Sequence, residues 1–147
     1  MSAIPLTEFA ERLNHILPLI TKEFFKRQTN KLFKGKLTVP QFLVLDCLLR
    51  EGNSKMSTLA QVLDVTTAAM TGIVDRLVRD GYLKRSFDSG DRRVIKITLT
   101  PRGTAIVKKI IEERQQLIMK IFGEISEDDR AEYLRILMQI RDILNQE

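Results

Sequence analysis

Thr67, Ala68, Thr71, Gly72, Asp75, Arg76 and Arg79 share one side of a helical period, small residues first and basic ones further on. Small side chains let a helix N-terminus approach another molecule closely, and threonine hydroxyls can donate to it or accept from it. Thr67, Ala68 and Thr71 suit base edges and thymine methyls, and Arg76 suits guanine or phosphate. Downstream, Ser89-Gly90-Asp91-Arg92-Arg93 is a turn-forming stretch with arginine beside its tip. An arginine on a thin ribbon fits a minor groove, whose negative potential is deepest in A·T-rich sequence. Arg92 is the candidate for that groove, and Arg93 is expected to brace the turn against an aspartate. Asp75 is a candidate to hold Arg76, Arg79 or the turn arginines through a charge-assisted bond.

These residues need particular elements to position them. Thr66 is a helix-start signal, and Met70, Ile73, Val74, Leu77 and Val78 recur as one apolar stripe. Gly81 ends that helix, being cheap to place in the left-handed region. The period then changes: residues 83–88 and 94–100 are short β-prone runs, with Ile95, Ile97 and Leu99 alternating against Lys96 and Thr98. Upstream, Ser57 is read as the cap of a short helix through Asp64, with Leu59, Val62 and Leu63 facing inward. Residues 64–66 form the turn between the two helices. Lys55, Ser57 and Thr58 would meet a phosphate backbone and set register. Helix, turn, helix and basic-tipped hairpin outline a winged helix-turn-helix. The competing reading is an ordinary hairpin with a solvated charged turn.

The run Thr71-Gly72-Ile73-Val74-Asp75-Arg76-Leu77 and then Asp80-Gly81-Tyr82-Leu83-Lys84-Arg85 resembles the MarR-type (multiple antibiotic resistance regulator) winged-helix repressors. Asp88-Ser89-Gly90-Asp91-Arg92-Arg93 and Leu99-Thr100-Pro101-Arg102-Gly103 continue the resemblance, which extends over nearly the whole chain. Gly90 departs from it, standing where longer side chains are usual, and is expected to loosen the wing tip. The resemblance implies a mainly α fold with a small β-hairpin wing. One 1–147 domain would hold a DNA-binding lobe at about 37–102 and dimerisation helices at about 5–33 and 101–146. It also implies a homodimeric regulator, most often a repressor, on a pseudo-palindromic double-stranded DNA operator. A small aromatic or phenolic effector would bind between the dimer helices and the DNA-binding lobes.

The totals agree with a nucleic-acid partner. The 147 residues are 44% hydrophobic, enough for the core of one globular domain, and carry a net charge of +5. That charge is uneven: residues 66–102 hold eight Lys/Arg against four Asp/Glu, and residues 22–36 hold six against one. Two basic segments on a mildly acidic remainder point to a polyanion. Residues 22–36 read equally well as phosphate contacts or as a solvated charged face. No apolar run approaches the roughly 20 residues a membrane span needs, and the start lacks the pattern of a secretory signal. The single cysteine fits a reducing cytoplasm. No phosphate-cradling glycine loop, metal-spaced Cys/His pair or nucleophile elbow is visible, so no catalytic residue, metal or cofactor is expected, and an enzyme is not.

The flanking segments are helical in pattern. Residues 6–33 place Phe9, Leu13, Ile16, Ile20 and Phe24 on one face, with a kink or break expected near residues 14–18 because Pro18 lacks a donor. Thr38 and Gln41 have capping-box spacing, and residues 42–49 are apolar nearly all round, which predicts a central buried helix closed by Gly52. Cys47 belongs to that set, so it reads as core packing; a redox or ligand sensor built on Cys47 or His15 is the rival. Thr100-Pro101 starts a long helix to about Ile125, and Ser126 starts the last one. Both carry more apolar rows than one small domain can cover, which predicts pairing with a second copy. A winged-helix protein-interaction module is the remaining alternative.

Overall fold

The computed structural model describes residues 3–28 and 37–146. Their elements are α1 (Leu6–Gln28), α2 (Val39–Glu51), β1 (Ser54–Lys55), α3 (Met56–Val62), α4 (Thr67–Arg79), β2 (Leu83–Phe87), β3 (Ile95–Leu99), α5 (Pro101–Phe122) and α6 (Glu127–Leu144). The chain forms two compact units, Met1–Ile111 and Glu112–Glu147. A mostly helical chain with a small antiparallel sheet is the winged-helix architecture that the sequence predicts.

Local chemistry fixes most boundaries. Thr38 caps α2 by accepting from the Gln41 N–H, while the Gln41 side chain accepts from the Thr38 N–H at 2.9 Å. Gly52, at φ +82°, closes the helix. The turn into α4 passes through Asp64 at φ +52°, a left-handed conformation that aspartate tolerates better than most residues. At the far end of α4, Gly81 (φ +82°) donates to the Val78 carbonyl and Tyr82 to that of Leu77, which satisfies two carbonyls that the last turn leaves open.

The sheet has the order β1-β3-β2, antiparallel throughout. β1 was not expected. It pairs Ser54 with Ile97 and Lys55 with Lys96, and its extended backbone moves the start of α3. Lys55, not Ser57, is the N-cap, and it makes no side-chain capping bond. α3 ends at Val62 rather than Asp64, and Val62 is 60% exposed rather than facing inward.

The core of the first unit joins Val44, Leu45 and Leu48 of α2, Leu59 of α3, Met70, Val74 and Leu77 of α4, Leu83, Ile97, and Val107 and Ile110 of α5. α2 is not buried all round: Leu43 is 44% exposed, because it falls at helical spacing on the outward stripe with Val39, Asp46 and Arg50. α1 runs through Pro18 without a break, so of the expected kink or break near residues 14–18 the break does not occur. The missing donor costs one bond of a 23-residue helix that buries no residue, so water can meet the spare carbonyl. The expected extension to residue 33, and Lys31, Lys34 and Lys36, lie outside the described residues.

α5 stops at Phe122, three residues short of expectation, in a turn where the Ile125 N–H donates to the Phe122 carbonyl. Ser126 then caps α6 by accepting from the Asp129 N–H at 3.1 Å. In the second unit the Phe122 and Tyr133 rings stack with centroids 5.6 Å apart, and Arg130 donates to the Phe122 and Ile125 carbonyls. No residue of α6 is buried.

Candidate nucleic-acid interface

α4 is divided lengthwise. Thr66 caps it, its hydroxyl accepting from the Ala69 N–H at 3.1 Å. Met70, Val74 and Leu77 are fully buried, while Thr67, Ala68, Gly72, Asp75, Arg76 and Arg79 are exposed. Thr71 is half-buried, and its hydroxyl donates to the Thr67 carbonyl at 2.8 Å. That bond leaves an oxygen lone pair and a methyl for any outside contact. The stripe that seats α4 therefore also fixes which residues can touch another molecule.

Lys55, Ser57 and Thr58 are exposed at the start of α3. In the wing, the loop between β2 and β3 is closed by the Asp88 N–H donating to the Val94 carbonyl, and by a turn in which the Val94 N–H donates to that of Asp91. Gly90 does not occupy the left-handed region, and its N–H donates to the Asp88 carboxylate at 3.3 Å.

The wing charges are sorted into pairs. Lys96 lies 2.8 Å from Asp88, and this hydrogen bond is the main reason the Asp88 carboxyl sits below its ordinary value. Arg93 donates to Asp91 through both backbone and guanidinium, as the bracing role requires, and Asp91 is lowered by those bonds. Among the described residues Arg92 has no ion pair. Ser89 and Arg92 are exposed, and with Phe87 and Asp88 they line a cleft open to solvent.

Asp75 takes a partner that the sequence reading did not name. It pairs with Arg85 of β2 rather than with Arg76, Arg79 or the turn arginines. Arg79 lies instead 3.6 Å from Asp80. The signal was available in the period of the strand: Leu83 points into the core, so Arg85 shares its face, where Asp75 of α4 meets it.

Residues 37–95, which run from the start of α2 to the start of β3, match the model of the MarR family. The transcriptional regulator PecS of Dickeya dadantii, described as HTH-type, is 31% identical over 116 residues, which cover 76% of this chain and 69% of PecS. The chain belongs to the MarR family. It is a DNA-binding transcriptional regulator with a winged helix-turn-helix, and α3 and α4 are its two-helix unit. A MarR family protein from Bacillus stearothermophilus superposes with a TM-score of 0.84 at 26% identity, covering 97% of this chain and 99% of that one. BpsR of Bordetella bronchiseptica, whose DNA binding is regulated by 6-hydroxynicotinic acid, does so with a TM-score of 0.70 at 25% identity, covering 96% and 99%. Among the described residues, no helix of this MarR-family chain is long and apolar enough to cross a membrane.

Proposed function

We propose that the chain is a homodimeric repressor that binds a pseudo-palindromic duplex in the cytoplasm and is released by a small ligand. The observation that carries the reading is the division of α4, whose Met70–Val74–Leu77 side is sealed in the core while Thr67, Ala68 and Arg76 stand exposed. In this reading α4 enters the major groove. Thr67, Ala68 and the Thr71 methyl meet base edges there, and Arg76 takes guanine or phosphate. Lys55, Ser57 and Thr58 hold the backbone and set register. Ser89 and Arg92 occupy the flanking minor groove, while Arg93 supports the wing through Asp91.

The dimer rests on apolar surface that the chain does not cover. α1 and α6 bury no residue, yet they carry Phe9, Leu13, Ile16, Ile20, Leu134, Leu137 and Ile140, all more than 40% exposed. The corresponding helices of a second copy would cover them. The DNA-binding lobe is then about residues 37–102, and α1, α5 and α6 supply the pairing helices. A two-fold dimer sets two reading helices one DNA turn, roughly 34 Å, apart. An aromatic or phenolic effector, by analogy with BpsR, needs only a few kcal/mol of preference for another spacing to empty the operator.

Genomic fragments retained by the protein, titrated against it over a range of salt, test this reading. The logarithm of affinity is expected to fall linearly with that of salt, with a slope near −0.9 per phosphate neutralised. A protein that retains no fragment above background, or that sediments as a monomer while bound, would overturn it.

A further inference from the structure

Phe87 and Ile95 face each other across β2 and β3, and both are exposed, Phe87 to 68% and Ile95 to 44%. They stand on the face of the sheet that carries Leu83, Ile97 and Leu99 into the core, beyond the point that α4 covers. A phenylalanine left in water at the end of a ribbon has burial still to gain on meeting a partner, favourable by about 2 kcal/mol for such a ring. The cleft beside it supplies the second observation. Phe87, Asp88, Ser89 and Arg92 line it; Asp88 is occupied by Lys96, while Arg92 has no ion pair among the described residues. The cleft thus presents an apolar ring, a hydroxyl and an uncompensated guanidinium, which suit a partner with alternating apolar and anionic surface. It is open rather than enclosed, unlike pockets that surround most of a small ligand.

We propose that Phe87 is a further DNA-contacting residue of the wing, beside Ser89 and Arg92, its ring lying against the deoxyribose wall of the minor groove that Arg92 enters. The sugar edges supply the apolar surface and the phosphates on either side supply the charge. This rests on the wing reading given under Proposed function, and it adds a contact that carries no charge.

The absence of charge makes the contact separable. Phe87→Ala, Phe87→Leu, Arg92→Ala and the Phe87→Ala/Arg92→Ala double variant are titrated with a retained fragment over a range of salt. Phe87→Ala is expected to bind about tenfold more weakly at every salt concentration with the wild-type slope. Phe87→Leu should fall between it and the wild type. Arg92→Ala should make the slope shallower by about 0.9. The double variant should lose less than the product of the single losses, because the two side chains share one groove contact. Phe87→Ala binding within twofold of the wild type would overturn the proposal, and so would a loss that appears only with a fall in melting temperature or a change in oligomeric state. A wild-type protein with no salt-dependent duplex affinity would instead remove the wing reading itself, an outcome visible before any variant is compared.

Discussion

Asp75 of α4 and Arg85 of β2 form an ion pair that ties the reading helix to the wing strand. Both side chains are at least a third exposed, so water and salt screen the attraction, and such pairs contribute about 0–1 kcal/mol to stability. Its larger effect is on alignment. Asp75→Asn is expected to leave the melting temperature nearly unchanged while the ratio of specific to non-specific DNA affinity falls about three- to tenfold. The ratio is the quantity to measure, since removing an acid near DNA strengthens non-specific binding. Exchanging the charges, Asp75→Arg with Arg85→Asp, should restore part of it. An unchanged ratio in Asp75→Asn would show that the pair aligns nothing.

Gly103 sits where no other residue fits. A Cβ there would lie 2.0 Å from the Tyr82 carbonyl oxygen. Around this contact the Thr100 hydroxyl donates to the Gly81 carbonyl at 2.6 Å, and the Arg102 guanidinium lies 4.9 Å from the Tyr82 ring centroid. Gly103→Ala must push α5 away from the exit of α4, at a cost of about 1–3 kcal/mol or more. Urea unfolding measures it, and a midpoint equal to the wild type would mean the junction yields freely.

Cys47 is buried among the core residues of α2, and burial pushes its thiol above the ordinary value of 9.0 despite the opposing Arg50 charge. The folded state therefore holds the proton more tightly than the unfolded state. This contribution is complete below pH 9.0 and declines as pH rises past it, because the unfolded thiol ionises first. The stability difference between the wild type and Cys47→Ala should accordingly shrink in alkaline urea titrations. A neutral, covered thiol also reacts slowly with oxidants. Peroxide should release neither protein from DNA; release of the wild type alone would revive the redox-sensor reading.

Acid placed on the uncovered helices should separate the proposed dimer. Phe9→Glu on α1 or Leu134→Glu on α6 puts a carboxylate into surface that pairing would bury, and an unpaired buried charge weakens association by about a hundredfold or more. Sedimentation equilibrium reads the monomer fraction, and duplex affinity should fall with it. Dimers of undiminished strength in both variants would place the pairing surface elsewhere.

Arg92→Ala should reduce affinity for sites with A·T-rich flanks more than for G·C-rich flanks, since a narrow groove concentrates the potential that a free guanidinium reads. Matched fragments differing only in their flanks supply the comparison. Equal losses on both would leave Arg92 as a general phosphate contact.

The devices legible in the sequence were those whose physics is local. Thr66, Thr38 with Gln41, Gly81 and Ser126 announce helix ends through bonds spanning a few residues, and the stripe of α4 announces its buried side. The alternation of residues 94–100 and the turn at residues 89–92 outlined the wing, and the resemblance added the family. What escaped depends on distant chain. β1 is two residues long and has no period of its own, so only pairing with β3 reveals it, and with it the displaced start of α3. Asp75 could be seen to need a cation, but four arginines on α4 and in the wing competed for it, and the fold brought Arg85. Leu43 is apolar in an apolar run, and only the packing of the other face of α2 on the core shows that it points outward.

β3 is the middle strand, bonded on one side to β2 and on the other to the two residues that lead directly into α3. One ladder of amides thus joins the arm bearing Arg92 to the doorstep of Met56, and the arm cannot swing without tugging on that doorstep. In the proposed complex, the interval along a duplex between the wing's contacts and those of the helices is consequently built into the protein like the gap between two teeth of a gear.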